Sequence, residues 1–251
     1  MAIIEVSELV KRYGDLTAVN GISFEVQQGE IFGIVGPNGA GKTTTLEIVE
    51  TLKSPTAGHI SIDGFDALRE PWQVKRIIGV QLQAAGFYPG LTLRELLRLF
   101  GGLYDVKVDA TAMLRKVQLE DKARTRFEKL SGGQKQRFSI ASTLVNQPRV
   151  IFLDEPSTGL DPQARFNLWE LVRQIRAEGV TVVLTTHYME EAEKLCDRVA
   201  IMDEGRIVAS GTPNQLIDAL LGKGFVKPQE VRPATLEDVF LDLTGKELRD
   251  D

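Results

Sequence analysis

A phosphate-binding loop is predicted by the residue types and spacing of GPNGAGKT, residues 36–43. The loop follows the apolar run Ile31 to Val35 and precedes a helical pattern from Thr44 to Val49. Glycines let successive backbone N–H groups face phosphate oxygens, and a helix N-terminus adds positive potential. Lys42 would reach the terminal phosphates, and the Thr43 hydroxyl would ligate Mg²⁺. The candidate nucleotide-binding residues here are Gly36, Asn38, Gly39, Ala40, Gly41, Lys42, Thr43 and Thr44.

Two adjacent carboxylates, Asp154 and Glu155, follow a second apolar run, Val150 to Leu153. Ligand sites of parallel α/β sheets lie at the carboxyl ends of the strands. Asp154 therefore fits the Mg²⁺ partner beside a phosphate loop, and Glu155 is placed to orient and polarise the water that attacks the γ-phosphate. Asp-Glu-Pro is equally typical of a helix or turn start. Nucleotide binding alone also does not separate ATPases, GTPases and kinases.

A second anion site is indicated by LSGGQ, residues 130–134, which precedes a helical pattern from Lys135 to Asn146. A serine cap and two glycines at a helix N-terminus offer N–H donors to an anion. Together with the phosphate loop and Asp154-Glu155, this pentapeptide resembles the signature of the ATP-binding cassette (ABC) family. A P-loop kinase or GTPase would leave it unexplained. The signature residues assigned to nucleotide binding are Ser131, Gly132, Gly133 and Gln134.

The resemblance extends over nearly the whole chain and implies roles for further residues. Tyr13 matches the aromatic residue that stacks on adenine, and His187 matches the switch histidine that contacts the γ-phosphate. Gln83 matches the glutamine that touches Mg²⁺ and the attacking water, although Leu82 stands where many members have proline. Asp161 matches an aspartate that couples two sites across a dimer, and it also suits a helix cap. The implied catalytic residues are Glu155, His187, Gln83 and Lys42, and the implied Mg²⁺ ligands are Thr43, Gln83 and Asp154.

The same resemblance implies two protein partners. Two cassettes, identical or paired, would clamp ATP head to tail, so that Ser131 and Gly133 contact the γ-phosphate held by Lys42 of the partner subunit. An integral membrane permease subunit would use the movement. The stretch Ala234 to Gly245 resembles the ends of ATPases from ABC-2 type multidrug or antibiotic exporters, which implies export of a drug-like, antibiotic or lipid substrate. An uptake-system ATPase and a soluble non-transport ABC ATPase are the alternatives.

Net charge and cysteine content limit the partners and the cellular compartment that are expected for this chain. The formal net charge of −5 argues against a surface that coats nucleic acid, so no nucleic-acid partner is expected. The lone Cys196 cannot form an internal disulfide, which is typical of a cytosolic chain. No apolar run reaches the roughly 18 residues of a membrane span. With the resemblance, this predicts a peripheral protein on the cytoplasmic face of the cell membrane.

The elements that must position these residues form an α/β fold with a P-loop NTPase core. Continuous apolar runs at 31–35, 150–153 and 180–184 are typical of buried parallel strands, and 162–178 has a helical pattern. Alternation at 23–26 and 59–63 predicts a flanking antiparallel sheet, with turns at Asn20-Gly21 and Gln28-Gly29.

Helical patterning between Thr92 and Asn146 predicts an α-helical signature subdomain inserted between parallel strands, beginning at a Thr92–Glu95 capping box. A hairpin is predicted at 199–209. We therefore expect an ABC ATPase cassette at 1–221, with its helical subdomain at about 84–146, and a tail at 222–251 with a short amphipathic helix at Leu236 to Leu243.

Overall fold

The computed structural model describes residues 1–81, 86–226 and 242. Its strands are β1 (Ala2–Tyr13), β2 (Leu16–Gln27), β3 (Ile31–Val35), β4 (Ala57–Ile62), β5 (Phe65–Asp66), β6 (Ile78–Gln81), β7 (Val150–Asp154), β8 (Thr181–Thr186), β9 (Arg198–Asp203) and β10 (Arg206–Gly211). Its helices are α1 (Lys42–Val49), α2 (Pro71–Ile77), α3 (Leu93–Leu103), α4 (Ala110–Lys116), α5 (Gly132–Thr143), α6 (Pro162–Ala177), α7 (Met189–Leu195) and α8 (Pro213–Leu221). Short 3₁₀ turns occupy Glu120–Lys122 and Phe127–Lys129.

The larger sheet has the strand order β10-β9-β3-β8-β7-β6 and is parallel except for the β9–β10 hairpin. Every residue of β3, β7 and β8 is buried, which explains their continuous apolar character. Val35 pairs with Thr186, and Asp154 pairs with Thr185. The carboxyl ends of three neighbouring strands therefore meet at one edge, as the sequence predicts.

The smaller sheet, in the order β2-β1-β4-β5, is antiparallel and confirms the predicted N-terminal β subdomain. The turn predicted at Asn20-Gly21 is wrong, because both residues lie inside β2. The β1–β2 turn is instead Gly14-Asp15. Gly21 has φ 67° at a register shift between the strands, so it supplies a β-bulge. Asn-Gly pairs favour left-handed backbone, and a bulge uses that property as readily as a hairpin turn.

The helical lobe consists of α3, α4 and α5. Thr92 caps α3 in the predicted capping box with Glu95. The signature helix begins at Gly132 rather than at Lys135 and ends at Thr143 rather than at Asn146. The start differs because Ser131 is the cap, and a helix begins at the residue after its cap. Phe138 of α5 packs edge-on against Phe87, with the ring centroids 5.2 Å apart, which ties this helix to the lobe's core.

The described residues up to Leu216 form one compact unit, and a second unit begins at Ile217. The amphipathic helix predicted at Leu236 to Leu243 lies outside the described residues, apart from Asp242. Among the described residues, no helix is both long enough and apolar enough to cross a bilayer.

Candidate nucleotide-binding site

The loop at 36–41 fits its surroundings only with glycine at two positions. A Cβ on Gly36 would lie 2.0 Å from the carbonyl oxygen of Met202 in β9, and one on Gly41 would lie 2.3 Å from that of Ala18 in β2. Gly41 also has φ 98° and caps α1. The backbone is thus held against both sheets, with the first turn of α1 directly behind the loop.

A cavity of about 660 Å³ opens beside this loop. It is lined by Tyr13, Leu16, Ala18, Asn38, Gly39, Gly41, Lys42, Thr43, Thr44, Glu155, Thr158 and His187. Tyr13 and Leu16 pair across the β1–β2 turn and supply half-exposed apolar surface. Aromatic and aliphatic faces of this kind suit a planar ring, while the loop and Lys42 suit phosphates. The cavity therefore combines both kinds of surface that a nucleotide needs.

Lys42 carries a buried positive charge with two partners. Only 4% of its surface is exposed. Its ammonium donates to the carbonyl oxygen of Pro37 at 3.0 Å and lies 3.5 Å from Oε1 of Glu155. A cation beside a glycine-rich loop at a helix N-terminus is the arrangement expected for a triphosphate site.

Glu155 is positioned from several directions. Its backbone has φ 47°, and its N–H donates to the Thr185 hydroxyl at 3.0 Å. The Thr158 hydroxyl donates to Oε2 at 3.2 Å, and Nδ1 of His187 lies 3.2 Å from Oε1. Burial raises the pKa of Glu155, but His187, Lys42 and Thr158 outweigh that effect and leave the pKa below its ordinary value. The carboxylate is therefore ionised and can accept a proton.

Asp154 is held by hydroxyl groups from two other segments. Thr43 donates to its carboxylate oxygens at 3.1 and 3.2 Å, and Thr185 donates to Oδ1. Burial raises the pKa of Asp154, and the negative charges of Glu155 and Glu47 raise it further, whereas the two hydroxyl groups oppose the shift. A bound cation stabilises the ionised form of a buried carboxylate that has negatively charged neighbours. Carboxylate and hydroxyl oxygens are ligands that Mg²⁺ prefers.

The signature residues lie outside this cavity. Ser131 is exposed and caps α5 reciprocally with Gln134: its backbone N–H donates to Oε1 of Gln134 at 3.0 Å, and Gln134 N–H donates to its hydroxyl at 3.4 Å. None of Ser131, Gly132, Gly133 and Gln134 is among the lining residues. Asp161 is also exposed and caps α6 through Ala164 N–H at 2.8 Å. Gln83 lies outside the described residues.

Some residues that influence the candidate site residues by contact or by charge were not found from the sequence. Thr185 touches both acidic residues, and Thr158 holds Glu155; the polar end of an otherwise apolar strand was the signal for the first. Glu50, at the C-terminal end of α1, is 2% exposed and its Oε1 has no partner in the described part of the chain. Burial, then the charges of Asp154 and Glu47, raise the pKa of Glu50 to about 8.

Comparison with known proteins identifies a family. The family model described as "ABC transporter" matches residues 19–158. The chain is 39% identical to "Nod factor export ATP-binding protein I" of Burkholderia lata, with 100% of this chain and 99% of that protein covered. It is 36% identical to the protein of that name from Rhizobium etli, with 99% and 95% covered.

Solved structures agree with this assignment. One described as the ATP binding subunit of an ABC transporter matches with a TM-score of 0.77 and 31% identity, covering 96% of this chain and 99% of that one. A dimeric ATP-binding cassette in a post-hydrolysis state, bound to ADP and Pi, matches with a TM-score of 0.75 and 27% identity, covering 83% and 98%. The expected P-loop α/β fold is confirmed, and the chain belongs to the ABC transporter family as one of its ATP-binding, ATP-hydrolysing cassettes.

Proposed function

We propose that this cassette hydrolyses ATP through Glu155 to energise a separate integral membrane subunit that exports its substrate. The observation that carries the proposal is the cluster around the 660 Å³ cavity. There an ionised, oriented carboxylate and a buried lysine lie at the loop that would hold the phosphates. Hydrolysis of a nucleoside triphosphate uses both groups: the carboxylate accepts the proton of the attacking water, and the cation stabilises charge on the terminal phosphate.

ATP would bind with its adenine on Tyr13 and its phosphates on the loop. The ammonium of Lys42 would exchange its contact with Glu155 for contacts with the terminal phosphate oxygens. Glu155 would then accept the proton of the attacking water while the bond from the γ-phosphorus to the bridging oxygen breaks. His187 and Thr158 support this role because their contacts limit the rotation of the carboxylate. We assign His187 a second contact, to the γ-phosphate.

Mg²⁺ would be held by Thr43 and Asp154, with Gln83 as a further ligand. The hydroxyl of Thr43 already meets both oxygens of Asp154, so these groups are close enough to share one cation. When bound, the ion would neutralise charge on the phosphate oxygens. Asp154 would remain ionised beside it despite its burial, because a cation reverses the effect that raises its pKa.

A second cassette would complete the site. Ser131, Gly133 and Asp161 lie at the N-termini of α5 and α6, outside the cavity of their own chain, and Ser131 and Asp161 are exposed. We therefore infer that they serve the cavity of a partner cassette, with Ser131 donating to its γ-phosphate. The dimer of the related cassette bound to ADP and Pi supports this arrangement.

Export is the direction favoured by the relatives. Relatives that align with this chain over nearly their full length include proteins named Nod factor export ATP-binding protein I. The resemblance of residues 234–245 to exporter ATPases agrees with that direction. A peripheral position on the cytoplasmic side of the membrane follows from the use of ATP. Co-purification with a neighbouring gene's product that has about six apolar spans would identify the membrane subunit.

The function is tested by Glu155→Gln. The amide keeps the shape of the side chain but cannot accept the proton, so the rate of ATP hydrolysis should fall roughly 10³-fold. ATP binding should persist, and size-exclusion chromatography with ATP should show a dimer. Glu178→Gln, a neutralisation outside the cavity, should leave the rate unchanged. Hydrolysis by Glu155→Gln at the parent rate would reject the proposal.

A further inference from the structure

A row of side chains links the first turn of α6 to Glu155. The guanidinium carbon of Arg165 lies 4.9 Å from the centroid of the Tyr188 ring. That ring packs obliquely on His187, with centroids 4.2 Å apart and an interplanar angle of 38°. His187 in turn lies 3.2 Å from Glu155. The imidazole is therefore bounded by Tyr188 and by the carboxylate.

The ring of His187 depends on such neighbours for its orientation. The main chain after β8 is fixed, because Tyr188 N–H donates to the Thr186 hydroxyl at 3.0 Å. The side chain of His187 is 28% exposed, and its Nδ1 meets no acceptor with hydrogen-bond geometry in the described part of the chain. Among the described residues, the contact with Glu155 is therefore not supplemented by a hydrogen bond that would fix the ring. The face of Tyr188 is the other surface that bounds it.

The guanidinium of Arg165 lies over the face of Tyr188, and its charge also acts on the carboxylate of Glu190. Its Nε is buried and has no hydrogen-bond partner among the residues that the structure describes. A guanidinium over an aromatic face is attracted by the ring's quadrupole, most strongly where water is excluded. The adjacent residue, Ala164, lies 3.2 Å from the position of a Cβ on Gly133. Arg165 therefore sits on the turn of α6 that packs against the signature helix.

We propose that Arg165 and Tyr188 are positioning residues that hold the His187 ring against Glu155. They touch neither nucleotide nor water in this scheme, and they act by keeping the imidazole where it orients the carboxylate. This inference rests on the proposed function, because it assigns these residues a role only in hydrolysis that uses Glu155 and His187.

Steady-state ATP hydrolysis by the full chain tests the assignment. Arg165→Ala and Tyr188→Leu should each lower kcat roughly tenfold and leave KM for ATP nearly unchanged, since misplacing a catalytic group affects the transition state rather than binding. Tyr188→Phe keeps the ring and should retain the parent kcat. Arg165→Lys keeps a cation and should fall between. Arg173→Ala, on the same helix but paired with Glu170, is the matched control and should behave like the parent.

A double-mutant cycle separates this role from plain packing. In a His187→Ala background, Arg165→Ala should cause no further loss of kcat, because the ring it positions is gone. Losses that multiply would overturn the proposal, and so would parent-like kcat in Tyr188→Leu. If Arg165→Ala does not fold, two other measurements decide the same question. They are the kcat of Arg165→Lys and the comparison of kcat between Tyr188→Phe and Tyr188→Leu. A His187→Ala variant as active as the parent would instead reject the proposed function of that histidine.

Discussion

The N-termini of α1 and α5, to which we assign phosphate binding, differ in their surroundings. The tip of α1 has a buried lysine and lies in a cavity with Glu155 and His187. The tip of α5 is exposed, and its serine and glutamine cap each other. Helix N-termini attract negative charge in both cases. The difference supports the proposal that the N-terminus of α1 holds a phosphate within one chain, whereas that of α5 contacts a phosphate held by a partner cassette.

The largest effect is expected at the N-terminus of α1, where Lys42 lies in the cavity. Lys42→Ala removes the buried cation and leaves Glu155 with one fewer positive neighbour, so ATP affinity should fall at least roughly 100-fold. Isothermal titration calorimetry measures this directly. Lys135→Ala, in the first turns of α5, is the matched control and should keep the parent affinity. Equal losses in the two variants would show that both tips bind the same nucleotide within one chain.

The second largest effect is expected at the exposed N-terminus of α5, which Ser131 caps. Ser131→Ala should lower kcat roughly 30-fold without changing ATP affinity in the monomer, because one donor to the transferred phosphate is lost. It also removes a helix cap, which costs about 1 kcal/mol of stability. Thr92→Ala removes the other capping box of the helical lobe and controls for that loss. If the Thr92 variant loses as much kcat, the role of Ser131 is only structural.

The smallest effect concerns Glu50, the buried carboxyl group at the C-terminal end of α1. Glu50 has a pKa of about 8 in the folded chain, against 4.5 ordinarily. Between these pH values the folded state binds a proton that the unfolded state does not, so the free energy of unfolding falls as pH rises through this window. Glu50→Gln should remove this loss, so its advantage over the parent in the free energy of unfolding should grow from little near pH 4.5 to its largest value near pH 8.

Urea unfolding at both pH values provides the measurement for Glu50. Glu170→Gln is the control, because its carboxylate is partly exposed, lies on α6 and is paired with Arg173. A stability difference for Glu50→Gln that does not grow with pH would show that the carboxyl has an ordinary pKa in the folded chain.

Sequence reasoning succeeded where the signal is local. The loop at 36–43, the apolar strands and the caps at Thr92 and Ser131 each depend on residues a few positions apart, so their spacing is sufficient to find them. The contact of Thr185 with Asp154 depends on how β7 and β8 pair, and the burial of Glu50 depends on packing across the fold. Neither is present in any short window of the sequence. The prediction of a turn at Asn20-Gly21 was wrong because the left-handed backbone that Asn-Gly favours occurs in β-bulges as well as in hairpin turns.

The pairing of β7 with its neighbours has a consequence for the length of this strand. Successive side chains of a strand point to opposite sides, so the gain or loss of one residue reverses every side chain beyond it. In β7 such a change would turn Asp154 away from the hydroxyls of Thr43 and Thr185. Insertions and deletions should therefore be absent from this strand in active homologues, even where its apolar residues have been exchanged for one another.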